Sequence, residues 1–399
     1  MPYSNFDESV QFGLRSTSDI DEKRIHVDVS EEIAELQTDK APLTKLTRQI
    51  GSEPTTKPEY LHYEGDLAAL TVESAGGETS ASATTVQLDS GDAAGIHKDA
   101  VIHVVETGEV MLVTEVDRNN DTIDVQRGMG DSTAVPIPDE ATLCIIGNAH
   151  KEGSGAPEEI VAGLVRINNY TQIFRHSWSV TGTLASTIMD AGNPEWDRLS
   201  RQKSLEHVRA IEMAYFLGVK NEDLAGSEPR RMTGGLDEHI KSNRFNVGSA
   251  AIDADLFDEY AKNIFDYGSG RKFMFTGANA IQCINSFARD QLRLEQGEDT
   301  YGLRVQRLET GFGTLDIVYH KLLSRHGFAD TAYIIDPENL QERQLSNNNQ
   351  QRYNVLRMNI QKPDEDKLKS EYLTESGFEV FQEMTHAKLY NIGTPGSST

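Results

Sequence analysis

The hydrophobic rhythm of the chain changes several times. In NNYTQIFRHSWSVTGTLAS, residues 168–186, Phe174, His176, Trp178 and Val180 alternate with Arg175, Ser177, Ser179 and Thr181. A two-residue period predicts a strand with one apolar face. The period then lengthens in NPEWDRLSRQKSLEHVRAIEMAYFLG. Asn193 is a good N-cap, Pro194 suits the first helical position, Glu195 and Asp197 suit the helix dipole, and Gly218 stops the run. These signals predict a helix over 193–218, roughly 36 Å long at 1.5 Å per residue. Leu205, Val208, Ile211 and Tyr215 give it a narrow apolar stripe on an otherwise charged surface.

Between 71 and 147 the apolar positions come in short bursts. GGETSASATT is a flexible entry. Strand-like runs come next, at 84–88, 100–105, 109–116, 122–127 and 142–146, with turn chemistry in DRNND. Short strands this dense predict a small β-barrel or sandwich, closed by the polar linker GNAHKEGSGAPEE. Residues 1–60 show little periodicity. A short helix capped by Ser30 is expected at 30–36, and Pro42, Pro54 and Pro58 break the stretch beyond it. The segment reads as an extended arm that needs a partner surface.

Beyond Gly218 the pattern is mixed. DADLFDEYAKNIFDYG and NAIQCINSFARDQLRL read as helices, and KFMFTG, GTLDIVYHKLL and TAYIIDP as strands. Long β stretches return between 341 and 392, in EYLTESGFEVFQ and HAKLYNI, before a loose tail, GTPGSST. The fold class is α+β.

Charge narrows the functions open to such a chain. Its 399 residues carry 63 acidic and 38 basic side chains, a net charge of −25. That excess argues against a nucleic-acid or anionic-membrane binder. With 16 lysines and 22 arginines, the composition fits either a salt-rich host or an ordinary acidic protein. Two distant cysteines, Cys144 and Cys283, are too few for a disulfide scaffold. The opening MPYSNFDESVQFG has no signal-peptide pattern, and no apolar run is long enough for a transmembrane helix.

Candidate chemistry is sparse. Gly311 and Gly313 in ETGFGTLD, and the glycines of RGMGDST, lack the context of a nucleotide loop and read as turns. His97 and His103 are six apart without an evident third ligand. There is no G-x-S-x-G, and neither cysteine has a catalytic context. Trp178 and Trp196 could stack on a sugar, but packing of the strand on the next helix is the better reading. The sequence therefore assigns no catalytic, cofactor-binding or metal residues and no cofactor. Weak divalent-cation binding at the acid clusters 364–366 and 295–299 is the one exception kept open.

Three stretches then acquire a common meaning. NYTQIF…SWSVTGT, the helix ending EMAYFLG and the RRMTGGL after it resemble the major head proteins of the SU10-like tailed phages. TGEVMLVTEVDRNNDTIDVQRG is similar to that family's β insertion, and LQERQLSNNNQQ…SEYLTESGFEVFQEMTHAKLYNI to its closing segment. The resemblance spans roughly residues 25–393 and implies an HK97-type capsid fold with an inserted small all-β domain. On that basis 1–60 is the N-terminal arm, 61–70 and 148–182 are E-loop strands, and 71–147 is the inserted module. Residues 183–250 and 346–393 form the peripheral domain with its spine helix at 193–218, 251–345 the axial domain, and 394–399 a flexible tail.

The function this implies is a non-enzymatic major capsid protein of a tailed double-stranded DNA virus. It would be made in the host cytoplasm and located in the virion, in hexamers and pentamers of an icosahedral head. Its partners would be further copies of itself, a portal protein at one vertex, and a decoration protein and a scaffold. The enclosed DNA would be held without sequence-specific binding, and no membrane is involved. Two alternatives stand beside it: an encapsulin-like compartment shell, and a polysaccharide-active or adhesive protein with a β accessory domain.

Overall fold

The computed structural model describes residues 41–65, 69–156, 163–186, 195–291, 294–296, 305–347 and 350–395. The helix expected at 30–36, the cap at 193–194, most of the acid cluster 295–299 and the last four residues lie outside them. The chain divides into two units, 1–61 with 168–399, and 62–167.

The larger unit is built on two sheets. In the first, the strands Ser52–Thr55, Leu340–Asn347, Lys367–Val380 and Gln172–Thr181 lie side by side in that order. Gln350–Gln351 and Val355–Arg357 pair at the margins. Gln172–Thr181 is antiparallel to Lys367–Val380 over its whole length, from Gln172 opposite Ser376 to Thr181 opposite Lys367. Of the segment 148–182 expected as an E-loop strand, residues 172–181 thus lie in this sheet. A strand zipped along its length into a sheet belongs to the body. The alternation itself holds, because Phe174, Trp178 and Val180 are buried. Residues Val165–Tyr170 of that segment pair with Glu59–Glu64 in a separate two-stranded sheet.

The helix Glu195–Leu217 lies against the first sheet. It ends where expected, as the Gly218 N–H donates to the Ala214 carbonyl at 2.8 Å. A Cβ on Gly218 would sit 2.4 Å from the carbonyl oxygens of both Ala214 and Thr233, so glycine is needed for this close approach. The buried stripe differs from expectation. Val208, Ile211 and Tyr215 are buried, whereas Leu205 is only partly so, and Ser200, Ser204, His207 and Glu212 share the stripe.

Residues 42–50 also depart from the expected arm. Pro42–Ile50 is an α-helix with its proline in the first turn, where a missing N–H costs nothing. Leu43 and Leu46 are fully buried in one cluster with Phe174, Ile211, Tyr215 and Phe216. Pro42 therefore starts structure rather than breaking it.

The second sheet runs Arg244–Asn246, Ala387–Tyr390, Ala332–Ile335, Arg271–Thr276, Thr314–Tyr319, Gln306–Glu309, Leu294–Gln296. Arg271–Thr276 is parallel to Thr314–Tyr319 and antiparallel to Ala332–Ile335. Helices Ala254–Ile264 and Ala278–Gln291 contribute Phe257, Ile264, Ala280, Cys283 and Ile284 to its core. Two expectations change here. Lys321, Leu322 and Leu323 do not prolong the preceding strand but open the helix Lys321–Arg325, whose cap is His320. The closing strand Ala387–Tyr390 pairs in this sheet, Ala332 facing Leu389, rather than beside the long helix.

The smaller unit contains a six-stranded antiparallel sheet ordered Thr71–Glu73, Thr142–Asn148, Ala100–Val104, Val110–Asp117, Thr122–Gln126, Thr85–Gln87. An antiparallel bridge between Ser74 and Leu88 joins the first strand to the last, closing the sheet into a barrel. One short 3₁₀ turn, Asp92–Gly95, interrupts the strands. Its core holds Val86, Ile102, Val104, Met111, Val113, Ile123 and Leu143. The strand Thr71–Glu73 carries no sequence signal, because three residues are too few to show a period.

Candidate functional site

Chemically capable side chains converge beneath the long helix. Glu212, fully buried, accepts the N–H of Leu43 at 2.9 Å, the N–H of Thr44 at 2.7 Å and the Thr44 hydroxyl. The N-cap residue of that helix, Ala41, has no side-chain acceptor, so a carboxylate from a distant helix caps it. Glu212 also meets Nε2 of His320 at 2.8 Å.

A buried His–carboxylate pair resembles the base of a catalytic dyad. Its bonds exclude that role. Nδ1 of His320 accepts the Leu323 N–H at 3.1 Å, capping the helix Lys321–Arg325. Nε2 must then carry the proton and donate it to Glu212. Neither ring nitrogen keeps a free lone pair, and both side chains are inaccessible to solvent. The pair joins two helix N-termini.

A second cluster surrounds Glu342. Tyr215 and Tyr353 donate their hydroxyls to it at 2.6 and 2.8 Å. Arg48, stacked over the Tyr353 ring, approaches within 4.0 Å. Burial pushes the Glu342 carboxyl above its usual range, with Arg48 and the two tyrosines opposing. A third pair lies beside it, with His207 Nε2 bonded to the Thr374 hydroxyl at 2.8 Å and its Nδ1 3.1 Å from Nδ1 of His176. Burial, helped by His176 and Arg48, lowers the His207 pKa to about 3.

On the strand Lys367–Val380, Glu371, Glu375 and Glu379 form a buried row. Each is covered by arginine: Arg175 and Arg357 on Glu371, Arg352 on Glu375, Arg343 on Glu379. These partners come from several different strands or loops, so the ion pairs tie the first sheet together. In the smaller unit Glu109 is buried against Arg127, with two contacts of 2.7 Å. Arg127 also reaches the carbonyls of Ser80, Ala83 and Val135, fastening loops to the barrel.

The residues weighed in the sequence take structural places. Trp178 and Trp196 rings are 5.5 Å apart, and Trp178 lies 4.8 Å from Tyr372, in the packing of strand on helix. Gly313 closes the turn between two strands, its carbonyl accepting from Thr310. Glu365 pairs with Lys367 at 2.8 Å. Among the described residues no group of three or more His, Cys, Asp or Glu could hold a metal ion, and no helix is long and apolar enough to cross a membrane. Sequence reasoning missed Glu212, His320 and Glu342 altogether, since their partners are more than a hundred residues away or belong to elements that it did not pair.

Comparison with known proteins identifies a family for this lattice of structural bonds. A major capsid protein of Pseudomonas phage PaMx41 is 26% identical over 302 residues, which is 72% of this chain and 71% of that one. Among solved structures, Mycobacterium phage Patience shares 12% identity and a TM-score of 0.44, over 98% of this chain and 96% of its own. Mycobacterium phage Bobi shares 6% identity and a TM-score of 0.44, over 96% of this chain and 99% of its own. The sequence matches the SU10 major capsid protein family over residues 7–393. That match covers nearly the whole chain, and the chain belongs to the SU10 major capsid protein family.

Proposed function

We propose that this chain is the self-assembling shell subunit of an icosahedral head, arranged as hexamers and pentamers around a double-stranded DNA genome. The larger unit would form the body of an HK97-type subunit, the first sheet with the long helix as peripheral domain and the second sheet as axial domain. The ribbon of Glu59–Glu64 and Val165–Tyr170 would be its extended loop, and the barrel an inserted accessory domain. A portal protein at one vertex, a decoration protein and a scaffold are the further partners of this reading.

The observation that carries it is the family match over nearly the whole chain. The bonding at His320 and Glu212 adds support, since a histidine with both nitrogens committed suits a subunit without an enzymatic reaction. Electron microscopy of the purified chain tests the proposal. Closed shells tens of nanometres across are expected. A chain that stays monomeric through a full range of salt and protein concentrations would contradict it.

A further inference from the structure

The barrel has two unlike outer surfaces. On the arc made by Thr71–Glu73, Thr85–Gln87 and Thr122–Gln126, the outward positions are Thr71, Glu73, Thr85, Gln87, Asp124 and Gln126, all polar. On the arc made by Thr142–Asn148, Ala100–Val104 and Val110–Asp117 they are mixed: Thr114, Glu115 and Asp117 are exposed and polar at one end and Thr142 is half-buried, while an apolar patch occupies the rest. Val101 and His103 alternate outward with buried Ala100, Ile102 and Val104, and Val110 and Leu112 with buried Met111 and Val113. Cys144 lies opposite His103 on the same side. Val105 and Ile146 beside them are 55% and 59% exposed.

The sequence shows the same thing as near-continuous apolar runs, AVIHVV, VMLV and LCII. Such runs belong to strands covered on both faces, whereas a solvated antiparallel face alternates with polar residues. The inner face is covered by the barrel core.

We propose that the outer face of this arc is an intersubunit contact, covered in the assembled shell by a second copy of this chain. The inference rests on the reading of the chain as a shell subunit, in which every copy is surrounded by others at fixed positions. Charge selects which part of the second copy is used. Residues 62–167 hold 19 acidic and 5 basic side chains, and one of the five, Arg127, is committed to Glu109. Two barrels placed face to face would set like charges around a shared apolar centre. The contact is therefore heterologous, barrel to a surface outside the neighbour's barrel, as in an array that repeats one contact around a ring.

Cys144 supplies the probe, because it lies partly exposed within the arc while Cys283 is buried and serves as reference. Maleimide labelling is compared between dissociated subunits and assembled particles. The Cys144 rate is expected to fall by about tenfold or more on assembly, as a well-packed contact excludes solvent. Val105→Lys with Ile146→Lys is expected to lower particle yield by about tenfold or more, because each particle repeats the altered contact many times, with the subunit's urea midpoint unchanged.

Equal Cys144 labelling in subunits and particles would overturn the inference while leaving the shell function intact. So would protection seen only in particles from infected cells and not in those made from this chain alone, which would assign the face to another protein. Should no particles form, the reading of the chain as a shell subunit fails first, and the inference with it.

Discussion

At the scale of single residues, this protein places carboxylates where helix ends need acceptors. Glu212 serves the start of one helix directly and the start of another through His320. Replacing it by glutamine keeps the shape but substitutes an N–H₂ for one accepting oxygen, facing donors that cannot turn away. Glu212→Gln is expected to destabilise the chain by about 3 kcal/mol, read as a lower urea midpoint at constant m-value. A midpoint within error of the parent would show that water replaces the lost acceptor.

His207 makes a pH-dependent contribution. In the fold it stays neutral down to about pH 3, while in the unfolded chain it binds a proton below about 6.5. Within that window the unfolded state holds more protons, so stability falls as pH is lowered and levels off below it. His386, lowered to about 4 by burial, acts in the same direction. Glu342, raised by burial, opposes them. His207→Gln is expected to flatten the loss of stability between pH 6.5 and about 4. An unchanged slope in urea melts across that range would count against this account.

At the scale of elements, the strand Lys367–Val380 organises the first sheet, and Gly377 lets it do so. A Cβ at Gly377 would lie 2.3 Å from the Tyr60 hydroxyl oxygen. Tyr60 in turn donates to the Phe378 carbonyl at 3.1 Å, fixing the start of the outgoing ribbon. Gly377→Ala is expected to cost about 1–3 kcal/mol by overpacking, and Tyr60→Ala to relieve part of that cost when combined with it. Strict additivity in the double-mutant cycle would mean that the ring is not what meets the new methyl group.

Element type is largely legible in the sequence, and element partnership is not. The alternation in 172–181 reads the same whether the strand lies in a sheet or an outlying ribbon, because its partner begins almost two hundred residues later. The helix Pro42–Ile50 does carry a signal, with Leu43, Leu46 and Ile50 at helical spacing behind a proline in the first turn. Only the position of that proline separates a start from a break. The polar members of the long helix's buried stripe are invisible for a different reason. His207 and Glu212 look like solvated residues until Thr374 and Thr44, each more than 160 positions away, arrive to satisfy them. No candidate site rises from the sequence because none of these groups forms a local motif.

At the scale of the whole molecule, the net charge of −25 sets an electrical condition on assembly. Apolar contacts between subunits are little affected by salt, but the acidic surfaces around them repel over a Debye length of about 8 Å at physiological ionic strength and about 30 Å in very dilute buffer. Arginines such as Arg175 and Arg357 are already turned onto Glu371 of the same chain and are poorly placed to neutralise a neighbour. Particles are therefore expected to loosen in dilute salt and to recover with added salt or divalent cations. Light scattering through a salt series checks this, and particles equally stable from millimolar to molar salt would indicate charge balanced across each contact.

The bridge from Ser74 to Leu88 has a further consequence for the life of the protein before it is built into anything. At the concentrations from which a shell would assemble, any row of unpaired strand amides invites another chain to zip onto it. By joining its first strand to its last, the barrel removes that invitation. Neighbouring copies can then recognise it only through side chains, which distinguish right from wrong partners, and not through backbone, which accepts any strand alike. Closure thus acts as proofreading, favouring ordered growth over fibrous waste.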